Sequence, residues 1–323
     1  MKAIPKTSVH AFLSNLIDYA GLFPPASLPL EPAIRNYAAY RADKDAWMLG
    51  RFIIPAVQLE ELAPYVSMFS SEQPLIISVL GGRSDNAEAC QNGLRMDLEK
   101  VVSFCRDYGD AVGAEVFELP LPPVQSDGDL LEVIARETAE HGLHTFCEVT
   151  VPLNEDWEHH MFGALDAIAT HNARGGPKLG VKLRTGGVTA DAFPTVEQVA
   201  AVLVGCRDRG ITLKFTAGLH HPIRMHRREI DARMHGFLNV FSAGMLAHTH
   251  HLNVLEAVEI LADEEPSSFF FTAEGLAWRN LTIPASKIVQ LREKVLCSYG
   301  SCSFDEPRDD LQTLGIYPGS NGQ

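Results

Sequence analysis

Along most of the chain, short apolar runs alternate with stretches whose apolar residues recur every three or four positions. That alternation predicts strands separated by amphipathic helices. A helix over 9–17 precedes a run at 19–23 that Pro24-Pro25 stops. A helical pattern over 33–40 leads to a run at 48–54, stopped by Pro55. The stretch 57–67 reads as helical despite Pro64, and the β-branched run 75–80 ends at Gly81-Gly82. A long helical pattern over 85–108, interrupted by Gly93, precedes a strand at 112–119 that ends in Pro120. A helix over 129–141, closed by Gly142, leads to a strand at 144–149 that finishes Glu148-Val149-Thr150. A helix over 157–172 stops before Gly175-Gly176-Pro177.

The next unit runs strand, turn, helix, strand from Gly180 to Arg224, with its helix over 194–209. Strands joined by helices in this order predict parallel pairing, and the whole chain, 1–323, reads as one (β/α)8 TIM-barrel domain. Residues 269–278 read as a β-hairpin around Gly275, inserted before the last strand. A helix over 284–294, a strand at 295–299 ending at Gly300-Ser301, and a final helix from Glu306 complete the eight steps. The alternative makes 269–272 the eighth strand. No internal repeat or low-complexity linker interrupts the chain.

Chemistry concentrates in the 180–224 unit. Its two strands read Gly-Val-Lys182-Leu-Arg184-Thr185-Gly186-Gly187 and Thr-Leu-Lys214-Phe-Thr216-Ala-Gly218-Leu-His220-His221-Pro-Ile-Arg224. Alternate strand residues share a face, so Lys182 and Lys214 on neighbouring strands project into the same interior. Two close ammoniums repel, which lowers the amine pKa toward the neutral form that a Schiff-base nucleophile requires.

These residues resemble the sixth and seventh strands of deoxyribose-phosphate aldolase and related class I aldolases. The resemblance implies that Lys182, followed by Thr185-Gly186, is the Schiff-base lysine, and that Lys214 tunes it. The turn after Lys214 departs from the family: it is one residue longer and poorer in glycine. The family also ends its last strand in a small Gly/Ser turn that holds phosphate, which Gly300-Ser301 match. Its acid lies on the fourth strand, where alignment puts Phe117 in that place and Glu118 one residue later, on the opposite face.

Glu148 and Glu118 are the acid/base candidates, with partnering a basic barrel residue as the alternative role. Arg184, Arg224, Thr185, Thr216, His220, His221 and the turns around Gly186, Gly187, Gly218 and Gly300-Ser301 are the candidate binders of an anionic substrate, because arginine forks and close backbone amides suit phosphate or carboxylate. His220, His221, His226 and His235, with His248, His250 and His251 further on, supply a rival reading: a divalent-metal hydrolase or sugar isomerase using Glu118 or Glu148. They show no His-Glu-x-x-His spacing. A third reading is a noncatalytic anion-binding barrel. The Schiff-base lyase reading requires no cofactor and no metal.

Composition narrows the partners. A net charge of −14 disfavours broad nucleic-acid or anionic-membrane surfaces while leaving room for a local basic pocket. No run approaches a membrane span and the first residues lack a signal-peptide core, so a cytoplasmic protein with a small anionic substrate is expected. Six scattered cysteines with no Cys-x-x-Cys suit reduced thiols. The apolar 269–278 hairpin suits ordinary packing, a cover over the barrel mouth, or a homo-oligomer contact.

Overall fold

The structure, a computed structural model, describes residues 8–123, 128–228 and 230–317. The first seven residues, on which the absence of a signal peptide was to rest, lie outside it. Helix α1 (Ser8–Leu13) precedes β1 (Ile17–Tyr19), and α2 (Leu30–Arg41) precedes β2 (Leu49–Pro55). A 3-10 helix (Ala56–Met68) contains Pro64 and leads to β3 (Leu75–Leu80). Four further pairs follow: α3 (Ala87–Tyr108) with β4 (Val112–Pro120), α4 (Gly128–Ala139) with β5 (His144–Glu148), α5 (Trp157–Asn172) with β6 (Leu179–Arg184), and α6 (Val196–Arg209) with β7 (Leu213–Thr216).

After β7 come a small antiparallel pair, β8 (Met225–Arg227) and β9 (Ala232–Met234), then α7 (Phe237–His250) and α8 (Val254–Ala262). A three-stranded antiparallel sheet follows: β10 (Phe269–Phe271), β11 (Gly275–Trp278) and β12 (Leu281–Pro284). Then α9 (Ala285–Lys294), β13 (Leu296–Ser301) and α10 (Asp305–Thr313) end the described chain.

Eight parallel strands close into a barrel in the order β1, β13, β7, β6, β5, β4, β3, β2. The eighth strand is β13, and the segment at 269–278 belongs to the inserted sheet, as the preferred reading expects. Two details differ. Gly275 is the first residue of β11 and not the turn; a Cβ there would meet the Ile283 carbonyl oxygen. The first strand is Ile17–Tyr19 and not 19–23, where the backbone instead turns, with the Phe23 N–H donating to the Ala20 carbonyl. Asp18 disguises that strand in the sequence, since a carboxylate in a three-residue strand breaks the apolar run.

Local chemistry explains why the helices start where they do. Thr195 and Gln198 form a reciprocal capping box at α6, and Asn253 with Glu256 form another at α8. Gly210 then ends α6 in the left-handed conformation at φ 63°. Helix α7 is buried from Phe237 through Ala247 and packs against α6 and α8. A helix buried on all sides lacks the polar face by which periodicity is recognised. Among the described residues no helix is long and apolar enough to cross a membrane.

The ends of β6 and β7 are locked backbone to backbone. A Cβ on Gly218, whose φ is +76°, would lie 2.8 Å from the Gly186 Cα and 2.9 Å from the Thr185 carbonyl oxygen. The Thr185 hydroxyl donates across the same junction to the Ala217 carbonyl at 2.5 Å. Gly218→Ala combines a left-handed backbone with that close approach, so a loss of about 1–3 kcal/mol is expected in urea denaturation. An unchanged midpoint would show that the two turns separate without cost.

Candidate active site

The register of β6 against β7 pairs Lys182 with Lys214, and that of β5 against β6 pairs Glu148 with Lys182. Inside the barrel the amines are separated by carboxylates. Lys182 Nζ lies 2.8 Å from Glu118 Oε2 and 2.7 Å from Glu148 Oε2. Lys214 Nζ lies 3.5 Å from Glu118 Oε1, contacts Asp18 Oδ2, and donates to Ser298 Oγ at 3.0 Å. Ser78 donates to Glu118 Oε1 and Ser298 to Asp18 Oδ2, both at 2.6 Å. The result is a chain of alternating charge: Glu148, Lys182, Glu118, Lys214, Asp18. All five side chains are buried.

Glu118 faces this interior because the register between β3 and β4 shifts by one. Ile77 pairs with Ala114, whereas Ser78 pairs with Val116, so Glu115 is an extra residue. Beyond the bulge the alternation of faces resets. The offset that was expected to turn Glu118 away from the lysines is thereby absorbed. Glu115 itself pairs with Arg51 at 2.7 Å, and the Arg51 backbone N–H donates to Asp18 Oδ1 at 2.7 Å.

These contacts reverse the electrostatics expected of a bare lysine pair. Burial disfavours the Lys182 ammonium, but Glu118 and Glu148 outweigh burial and hold its pKa above the ordinary lysine value. Burial likewise opposes the Glu118 anion, yet Lys182, Lys214 and the Ser78 hydroxyl bring its pKa down to about 2. The Glu148 carboxyl is also lowered, with Lys182 and then Arg184 overcoming burial. The neutral amine anticipated from lysine–lysine repulsion is therefore not the resting form of Lys182.

The anion-binding candidates divide into four groups. Arg184 is half exposed at the end of β6, 3.4 Å from Glu148 Oε1, and Arg83 approaches the same oxygen at 4.0 Å. These two guanidiniums stand beside the charged chain. Thr185, Gly186 and Gly218 instead form the backbone lock between strands, and a Cβ on Gly187 would meet that of Ala192 at 2.6 Å. Gly300 sits opposite Thr216 and Asp18 in the barrel wall, and Ser301 is buried beside it. Arg224 is drawn away to Glu264, 3.8 Å from its Nε, and to His235. That separates it from the lysines.

The histidines disperse. His235 Nε2 lies 2.8 Å from the buried Pro194 carbonyl, and burial brings its pKa down to about 4. Burial also lowers His248 to about 4. His226 is exposed beside Asp231, and His250 meets the Thr282 carbonyl. His221 Nδ1 lies 2.6 Å from Asp310 and its Nε2 lies 2.8 Å from an Arg227 nitrogen. His220 faces Glu306 and Cys302. Among the described residues no group of three or more His, Cys, Asp or Glu is placed to hold a metal ion.

Two hollows adjoin the barrel ends. One, of about 290 Å³, lies by the ends of β4 and β5, lined by Leu121, Val149, Thr150, His159 and His160. The other, of about 590 Å³, opens at the N-terminal ends of the strands and reaches Arg51, Lys178, Arg292 and Ser298. Sequence reasoning missed Asp18, Ser78 and Ser298 as members of the charged chain. The rule that singled out the lysines, a charge in mid-run, also selects Asp18; the two serines carry no such signal.

No protein-family model matches the chain, and no curated protein matches it. Among solved structures, it is similar to triosephosphate isomerase from Bartonella henselae at 10% sequence identity and a TM-score of 0.35, covering 76% of this chain and 97% of that one. The barrel assignment rests on the strand order itself.

The charged chain sets the acid limit of stability. Because Glu118 and Glu148 titrate below the unfolded carboxylate value, their contribution is present above that value and is lost as pH falls toward about 2. Urea midpoints are expected to be flat near neutrality and to fall below the ordinary carboxylate range. Lys214→Met removes the ammonium from one oxygen of Glu118 and from Asp18, which keeps only Arg51 at 3.7 Å, so a loss of about 3–5 kcal/mol is expected at neutral pH. If the loss is below about 1 kcal/mol, the range measured for exposed pairs, the chain is not coupled as described.

Proposed function

We propose that the protein is a carbon–carbon lyase of the Schiff-base aldolase kind, acting on a small anionic carbonyl compound. The observation that carries this reading is the Lys182 amine held between Glu118 and Glu148 in the barrel interior, with Glu148 the last residue of β5. Barrels of this type gather their chemistry at the C-terminal ends of the strands. Arg184 and Arg83, beside Glu148, are the donors for the anionic group of the substrate.

In this reading Lys182 gives a proton to Glu148, and the neutral amine adds to the substrate carbonyl carbon. A proton passes from the added nitrogen to the carbonyl oxygen, giving a carbinolamine; its hydroxyl then leaves as water with the proton returned by Glu148, and the nitrogen lone pair forms the iminium. The iminium accepts the electron pair released when the adjacent carbon–carbon bond breaks. Glu118 stays anionic and fixes the amine; Lys214 keeps Glu118 anionic. This replaces the role of repelling neighbour first assigned to Lys214. The raised Lys182 pKa implies that the free amine is scarce at rest, so addition depends on proton transfer within the chain.

A specific observation favours a second reading. Lys182 is 3% exposed and Lys214 is fully buried, as expected of an internal ion lattice that only braces the strands.

Borohydride trapping separates the two. The protein is incubated with small aldehydes, keto acids and sugar phosphates between pH 7 and 10, then mapped by mass spectrometry. A stoichiometric adduct at Lys182, growing with pH and absent in Lys182→Met, is the expected result. Labelling at Lys182 no faster than at exposed lysines sinks the lyase reading and leaves the lattice.

A further inference from the structure

The hollow at the N-terminal ends of the strands lies at the opposite end of the barrel from Arg83 and Arg184. Its volume of about 590 Å³ is in the range of small-molecule sites. Arg51, Lys178, Arg292 and Lys294 line it, against one carboxylate, Glu293. In a chain of net charge −14, that balance runs against the rest of the molecule.

The four cations differ in what already compensates them. Arg51 pairs with Glu115 at 2.7 Å and lies 3.7 Å from Asp18 Oδ1. Among the described residues no carboxylate pairs with Arg292. Its Nη1 donates to the Leu296 carbonyl at 2.6 Å and to that of Cys297, and its Nη2 donates to the Ser14 carbonyl at 3.1 Å. Its buried Nε has no hydrogen-bond partner among the described residues. Burial brings the Arg292 pKa down to about 10, so the side chain stays charged at neutral pH. Carbonyl dipoles thus take most of its hydrogen bonds but leave its unit charge without a counter-ion. Lys178 and Lys294 are exposed, and among the described residues neither enters an ion pair. The helix ends that meet here are capped. Backbone N–H groups of Ala173, Gly210 and Val295 bond back to the Ala169, Arg207 and Leu291 carbonyls, which blunts the negative ends of α5, α6 and α9.

The donors that remain set the class of ligand. The planar forks of Arg51 and Arg292 are spent on Glu115 and on carbonyls, which leaves the two lysines. An ammonium recognises a phosphoryl dianion as a point charge, whereas planar carboxylates favour a guanidinium fork. Val116, Phe146, Leu179 and Val289 give the hollow apolar walls suited to a carbon body. We propose that this hollow binds a small organic phosphate monoester, whose phosphoryl group neutralises Arg292, Lys178 and Lys294. Arg51 and Ser298 line the same hollow and both hold Asp18, through the Arg51 backbone N–H at 2.7 Å and the Ser298 hydroxyl at 2.6 Å. The ligand therefore adjoins the last carboxylate of the charged chain. The site does not rest on the lyase reading.

Isothermal titration calorimetry of the intact chain with glycerol 3-phosphate, at pH 7.5 and fixed ionic strength, tests the site. Millimolar or tighter binding is expected. Lys178→Gln with Lys294→Gln, both at exposed positions, should weaken it about ten-fold, while Arg184→Gln keeps it. If the wild type shows two sites, the double variant should lose one and Arg184→Gln the other. Succinate, a dianion with planar carboxylates, should bind about ten-fold more weakly than glycerol 3-phosphate. Urea midpoints give a second reading: the phosphate ester should raise that of the wild type and not that of the double variant. No heat at 10 mM ligand, or binding that the double variant retains in full, overturns the site. Loss of all binding in Arg184→Gln overturns it too, and places the ligand at the opposite mouth, where the lyase reading puts its anion. Succinate binding as tightly as glycerol 3-phosphate overturns the phosphate assignment.

Discussion

Burying charge is the constraint on which this barrel depends. Two ammoniums and three carboxylates occupy its interior, and each would cost several kcal/mol there without a partner. The solution is strict alternation of sign, with Ser78, Ser298 and the Arg51 backbone N–H among the groups that add hydrogen bonds. Strands β1, β3, β4, β5, β6, β7 and β13 all contribute a member. The same contacts that make the interior tolerable fix how these strands are registered, so electrostatics and topology are one problem here.

That coupling bears on chemistry. An amine between two carboxylates is well placed to pass protons and poorly placed to be neutral. A lysine in an apolar pocket has the opposite balance. Under the proposed lyase reading, chemistry at Lys182 begins with a proton moved along the chain, not with an amine already stripped by its neighbour.

The barrel was legible in the sequence because most strands are apolar runs bounded by proline or glycine, and most helices have a polar face. Its blind spots have physical causes. Helix α7 is buried all round and shows no amphipathic period. Strand β1 is three residues long with Asp18 at its centre. At the site, Lys182 and Lys214 do meet as their strand positions implied, and Glu148 joins them, whereas Glu118 reaches them only because of the bulge at Glu115, which the strand pattern did not show. The missing information was which groups stand between them, since pairing across a closed barrel depends on registers that no single strand encodes. Arg224 and Thr185 show the converse: both lie near the motif in sequence, yet one is drawn to Glu264 and the other is committed to a backbone carbonyl.

The extra residue in β4 has a further consequence. Glu115 adds no group to the interior, yet its presence decides which face of the strand the next residues occupy. Loss of that one position would present Phe117 to the lysines and carry Glu118 out toward the helices. The length of this strand, rather than the identity of any side chain on it, thus governs whether the barrel holds a carboxylate between its two amines. A single-codon deletion at this point would thereby remove the shared carboxylate in one step and leave Lys182 and Lys214 facing each other across an apolar ring, a harsher change than any one substitution on the strand.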